Sequence, residues 1–215
     1  IESIDGEEIK AGMDYFPLLD GKVGKNVRLG IRNAKGKKME VTVKAISQGK
    51  LNNLLYKRWV DRNRAFVDSI SGGRIAYVHV KAMNSESFRT VYSELLSDKN
   101  RNRDAVIVDE RHNGGGWLHD DLCTLLNGKQ YQEFVPHGKV VGRDPFNKWV
   151  KPSCVMICEN DYSNGHGFPW VYKELGIGKL IGAPVAGTMT AVWWETLMDN
   201  TLVFGIPQVG CRDMR

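Results

Sequence analysis

The chain has 215 residues, 42% hydrophobic and 26% charged, a balance that permits a sizeable buried core and suits a globular mixed α/β protein. Its formal net charge is +5, yet the basic residues are scattered: Lys35, Lys37 and Lys38 fall in a turn and residues 99–103 in a charged loop. Neither cluster has interleaved aromatics or a recognisable module, so nucleic acid is not an expected partner. No apolar run reaches the ~20 residues of a membrane helix. No basic-then-apolar leader precedes the first turn, so the start reads as a mature or truncated one.

In chain order, Asp5-Gly6 and Asp20-Gly21-Lys22 are turn signals around a short apolar stretch at 16–19. Val27, Leu29 and Ile31 then point one way, residues 34–37 turn, and Met39, Val41 and Val43 resume the period of two. A small β-rich module is expected over residues 1–49. Residues 51–70 read as a long amphipathic helix, with Leu51, Leu54, Leu55, Trp59, Phe66, Val67 and Ile70 at helical spacing. Ser71-Gly72-Gly73 stops it, so residues 50–73 form a linking segment.

From Arg74 onward strands and helices alternate. Residues 74–80 read as a strand and 85–96 as a helix. The continuously apolar run 105–108 has the character of a strand buried on both faces. It leads into Gly114-Gly115-Gly116 and a helix through Leu118, Leu122, Leu125 and Leu126. Residues 154–158 repeat the pattern, followed by a helix through Trp170 and Leu175 and a strand at 179–181. This alternation predicts a layered α/β domain over 74–215, with reactive groups where strand ends meet helix starts.

Two such junctions stand out. Three consecutive glycines after a buried strand let backbone N–H groups face a cleft, where they can hold an anion or an oxyanion; a flexible turn is the plain alternative. The second junction is Glu159-Asn160-Asp161-Tyr162-Ser163-Asn164-Gly165-His166. A serine leaving a strand and starting a helix is placed like a hydrolase nucleophile, or Ser163 or Asn164 simply caps the helix. His166 can line the same cleft, although a residue on the same helical turn is poorly placed to act as the base. Asp109 and Glu195 are available acids without an identified partner. The histidines, including His112 and His119, lack metal-ligand spacing, and Cys123, Cys154, Cys158 and Cys211 show neither CxxC spacing nor the density of a disulfide scaffold.

Taken together, the segments resemble the tricorn branch of the S41 peptidases. The lead-in residues 54–60 and 71–80, the D-x-R-x-N-G-G-G element at 109–116, the serine turn at 159–169 and the glycine-containing strand at 182–188 carry the resemblance. It implies a partial PDZ-like β module followed by a ClpP/crotonase-like layered ββα protease core. It also implies Ser163 as nucleophile, an oxyanion hole from Gly115 or Gly114 with the N–H of Asn164, and Asn164 and His166 against the substrate. The expected partner is a peptide or unfolded protein, with no metal or organic cofactor; homo-oligomers and export are common in the family. The family's histidine and activating glutamate are expected outside residues 1–215. Two further readings stand beside this one: a non-catalytic peptide-binding protein on the same scaffold, and a crotonase-type acyl-CoA enzyme.

Overall fold

The structure is a computed structural model and describes residues 1–214. The chain separates into two units, residues 1–61 and the remainder from Arg62. In the first, strands β1 (Ser3–Ile4), β2 (Glu7–Glu8), β3 (Asn26–Arg32) and β4 (Lys38–Lys44) form an antiparallel sheet in the order β2-β1-β3-β4. The β3–β4 hairpin pairs Val27 with Val43, Leu29 with Val41 and Ile31 with Met39, the register its period of two requires. Its turn is closed by Asn33, whose Oδ1 accepts from the N–H groups of Lys35 and Lys37.

Helix α1 (Gln48–Ile70) starts where Ser47 Oγ accepts from Lys50 N, and it crosses the boundary between the units at Asp61. Its sequence suggested a broad apolar face, but only Val60 and Val67 are buried. Leu54, Leu55, Phe66 and Ile70 are exposed. The second half is fastened by polar contacts instead: Asn63 Nδ2 donates to the Tyr77 hydroxyl, Arg64 pairs with Glu94 at 2.8 Å, and Asp68 pairs with the buried Arg103.

The second unit alternates as expected. Its elements are β5 (Ile75–His79), α2 (Ser85–Leu95), α3 (Asp98–Arg101), β6 (Ala105–Asp109), α4 (His119–Leu126), the hairpin β7 (Gln132–Phe134) and β8 (Gly142–Asp144), then β9 (Ser153–Ile157), α5 (Asn164–Glu174) and β10 (Lys179–Gly182). Strands β5, β6, β9 and β10 form one parallel sheet in chain order. Right-handed crossovers between strands taken in sequence put α2, α4 and α5 on one face, and α4 packs against both of the others. A last hairpin, β11 (Thr190–Thr196) and β12 (Val203–Gly210), forms its own two-stranded sheet.

The core lies between this sheet and its helices. Ala76, Val78, Val106, Val108, Val155 and Ile157 alternate out of the strands to meet Val91, Leu95, Leu122, Phe168 and Tyr172. Each valine, leucine, isoleucine or phenylalanine among them contributes about 1.5–3 kcal/mol on burial. Ala105 and Ile107 are only half-buried, so the apolar side chains of the strand expected to be buried on both faces are fully buried on one. On its other face, fully buried Asp109 accepts from the Tyr77 hydroxyl and from Arg111 Nη2, each at 2.6 Å. Burial alone would raise the Asp109 pKa, but the Arg111 and Tyr77 hydrogen bonds hold it below the ordinary carboxylate range. Asp109 is therefore committed to the scaffold and is not a free acid.

Candidate active site

Strands β6 and β9 are parallel neighbours, with Asp109 opposite Met156, so the loops leaving their carboxyl ends emerge side by side. Asn113 ties them together. Its carbonyl accepts from Tyr162 N at 2.9 Å, its N–H reaches Asp161 Oδ1 at 3.2 Å, and its Nδ2 donates to Val80 O at 2.9 Å. Its Oδ1 accepts from Gly115 N at 2.9 Å. Asp161 closes the second loop on itself, Oδ2 accepting from Cys158 N at 2.8 Å. Both side chains are fully buried, as polar groups spent entirely on internal hydrogen bonds can be.

The glycines follow from this close approach. Gly115 has φ +95°, and a Cβ there would lie 2.6 Å from Ser163 Cβ and 2.7 Å from Tyr162 O. At Gly116, with φ +132°, a Cβ would run into Met83 O. The Gly115 carbonyl and Trp117 N–H bond to Met83 N and O, which anchors the triple-glycine loop to the segment after β5.

Ser163 stands at the N-cap of α5 with φ 54° and ψ −119°. That conformation is neither right-handed nor left-handed helical, and it costs a non-glycine residue about 1–3 kcal/mol. The side chain caps nothing, so the simple capping role suggested by sequence does not apply. The turn is held from behind by Thr188, whose Oγ1 accepts from Ser163 N at 3.2 Å. Thr188 lies in a stretch expected to be a strand. Instead β10 ends at Gly182, and residues 183–189 run irregularly back to the serine.

Ser163 opens into a cleft of ≈ 530 Å³ lined also by Gly114, Gly116, Trp117, Tyr162 and Asn164. Asn164 offers its backbone to that cleft. Its side chain is buried and turned away, with Oδ1 accepting from Leu118 N and His119 N at 2.8 and 3.1 Å and Nδ2 donating to His119 Nδ1 at 2.8 Å. The Asn164 side chain thus serves the start of α4. The Asn164 N–H itself is taken up by no protein acceptor among the described residues, and it sits at the positive end of α5. Of the three glycine amides, that of Gly115 is spent on Asn113, while Gly114 and Gly116 line the cleft.

His166 does not line it; half-buried, it has a lowered pKa from desolvation. No histidine hydrogen-bonds to Ser163 among the described residues. His119 lies on Asn164, and His112 lies beside Cys158 Sγ and Asn160 Nδ2. Glu195, on β11, is exposed and outside the lining.

Asn113 and Thr188 carry much of this geometry, and sequence reasoning assigned neither a role. Asn113 sits inside the glycine element, where its position was the available signal. Thr188 is 25 residues from its partner and had none.

A strained serine at a strand-to-helix turn thus meets a glycine loop and a helix N-terminus on a layered α/β scaffold. Residues 74–211 match the model of peptidase family S41, and the chain belongs to that family. It is 28% identical over 206 residues to the tricorn protease of Thermoplasma acidophilum, covering 94% of this chain and 19% of that protein. A tricorn protease homolog of Saccharolobus solfataricus is 28% identical over 207 residues, again covering 94% of this chain and 18% of the relative. A crystal structure of the tricorn protease superposes with a TM-score of 0.76 at 27% identity, over 90% of this chain and 19% of the other. The chain thus spans about a fifth of the length of these relatives.

Proposed function

We propose that this chain supplies the nucleophile and oxyanion half of a serine endopeptidase or oligopeptidase that hydrolyses peptides and unfolded segments through an acyl-enzyme on Ser163. The observation that carries the reading is the backbone of Ser163: positive φ at the mouth of the cleft, held by Thr188 and capping nothing. Strain of this kind marks a position kept for chemistry rather than stability.

In the reaction, Ser163 Oγ attacks the scissile carbonyl carbon and passes its proton to a general base. The oxyanion faces the N–H of Asn164 together with the glycine loop, where Gly114, open to the cleft, is better placed than Gly115. The C–N bond breaks as the base returns the proton to the leaving amine, and water then hydrolyses the ester by the same route. A single oxyanion donor is worth about 10²–10³ in rate. We place the histidine base and its carboxylate outside residues 1–215, since the histidines near the serine are occupied elsewhere or lie off the cleft.

For the first unit we propose a partial PDZ-like module that takes peptide by strand addition at an open edge of its antiparallel sheet. Export and homo-oligomeric assembly are proposed for the full-length chain, to be read by fractionation and sedimentation.

Fluorophosphonate labelling tests the central reading. The longest natural chain carrying these residues is expected to label, its Ser163→Ala variant to stay silent, and residues 1–215 alone to stay silent for want of a base. A long chain that fails to label turns the reading toward a peptide-binding protein on a peptidase scaffold.

A further inference from the structure

One face of the β11–β12 hairpin forms a wall of the cleft. Alternate residues of the two strands, Val192 and Trp194 on one and Gly205, Pro207 and Val209 on the other, all line it. Trp193, Phe204 and Ile206 point the opposite way. Trp117 and Tyr162 complete the apolar surround from the two catalytic loops. Trp117 and Trp194 are 70% and 68% exposed, so their rings are open to a ligand rather than spent on the core. Among the described residues no lysine, arginine, aspartate or glutamate lines the cleft, and the Asn164 side chain is engaged with the start of α4.

Gly205 fixes where Trp194 lies. The two are directly opposed across the hairpin, and a Cβ on Gly205 would come within 2.7 Å of Trp194 Cζ3 and 2.9 Å of Cε3. The bare glycine lets the indole lie flat across β12. Glycine inside a strand weakens pairing, and it commonly marks such a close approach.

We propose that this hairpin face is the specificity wall of the site and that it receives an uncharged apolar side chain, aromatic or branched aliphatic, next to the scissile bond. The inference rests on the peptidase reading above and adds the substrate class. Trp194, seated on Gly205, is the principal contact. An indole face also attracts lysine and arginine, but a cation drawn into this cleft sheds water without meeting a carboxylate, which disfavours it. An apolar side chain pays no such penalty and gains the full contact.

The test uses peptidyl diphenyl phosphonates that differ only in the side chain beside phosphorus, namely Phe, Leu, Lys and Glu, reacted with the longest natural chain. Labelling rates at Ser163 are read by mass spectrometry, with a fluorophosphonate lacking any peptide run in parallel. Phe and Leu probes are expected to react at least about tenfold faster than Lys and Glu probes. Trp194→Ala and Gly205→Val should each bring that ratio towards one, while Trp194→Phe, which keeps a ring, should retain most of it. A faster Lys probe, or a ratio that neither substitution moves, overturns the inference while leaving the nucleophile standing if the fluorophosphonate still labels. Silence from the fluorophosphonate overturns the peptidase reading, and the specificity wall falls with it.

Discussion

At the scale of single residues, the backbone of Ser163 separates two substitutions that are usually treated as equivalent. Ser163→Ala removes the hydroxyl and keeps a Cβ in a conformation hostile to one, at φ 54° and ψ −119°. Ser163→Gly removes both. Glycine enters positive φ without steric penalty, so Ser163→Gly is expected to be more stable than Ser163→Ala by about 1 kcal/mol. Neither would label with fluorophosphonate. Urea denaturation of the two variants measures the gap, and an alanine variant as stable as the glycine one would mean the turn is not strained.

At the scale of elements, α4 begins without a capping side chain of its own and borrows one from α5. Asn164 Oδ1 serves the N–H groups of Leu118 and His119 at the start of α4, so Asn164→Ala should cost about 1 kcal/mol or somewhat more, given the burial. Asn164→Asp keeps the acceptor at a helix N-terminus and should lose less; denaturation midpoints distinguish the two. This borrowed cap also shows where sequence stops being informative. The strands and helices of the parallel sheet were legible because apolar periodicity and glycine punctuation are local: residues 85–96 were expected to be helical and α2 spans Ser85–Leu95, while 179–181 were expected as the strand that appears as Lys179–Gly182. The serine's position at a strand-to-helix turn was equally local. The direction of the Asn164 side chain is set by a partner 45 residues away, and the hold of Thr188 on Ser163 is set by an irregular return of the chain. Neither leaves a periodic trace. The β11–β12 hairpin was hidden for a related reason: its two faces are both apolar, so Val192, Trp193 and Trp194 follow one another without alternation.

At the scale of the whole molecule, stability is tied to pH through Glu110. It is fully buried beside the glycine loop, neither of its oxygens finds a partner among the described residues, and burial followed by the charges of Asp161 and Asp109 raises its pKa well above the usual carboxylate range. The folded chain therefore keeps a proton that the unfolded chain gives up near the ordinary glutamate pKa. Across that interval the folded state binds more protons, so this group's contribution to stability falls as pH rises. Glu110→Gln cannot ionise. Its stability relative to wild type should rise between pH 4.5 and pH 8, as followed by urea midpoints at both values. A difference independent of pH would mean that Glu110 is ionised in the fold.

The mutual bonding of the two loops has a consequence for when the molecule becomes reactive. Asn113 is joined to Tyr162 by a main-chain bond and to Asp161 by a main-chain to side-chain bond, yet Asn113 and Asp161 lie 48 residues apart. Closing a loop of that length is entropically opposed until β6 and β9 have already paired. Neither loop is a template that exists in advance of the other. Ser163 thus reaches its poised geometry only as the sheet beneath it is completed, and a nascent or partly unfolded chain carries a hydroxyl no more reactive than any other serine's. On the function proposed for Ser163, reactivity at this position would be a certificate of finished folding, issued by the scaffold.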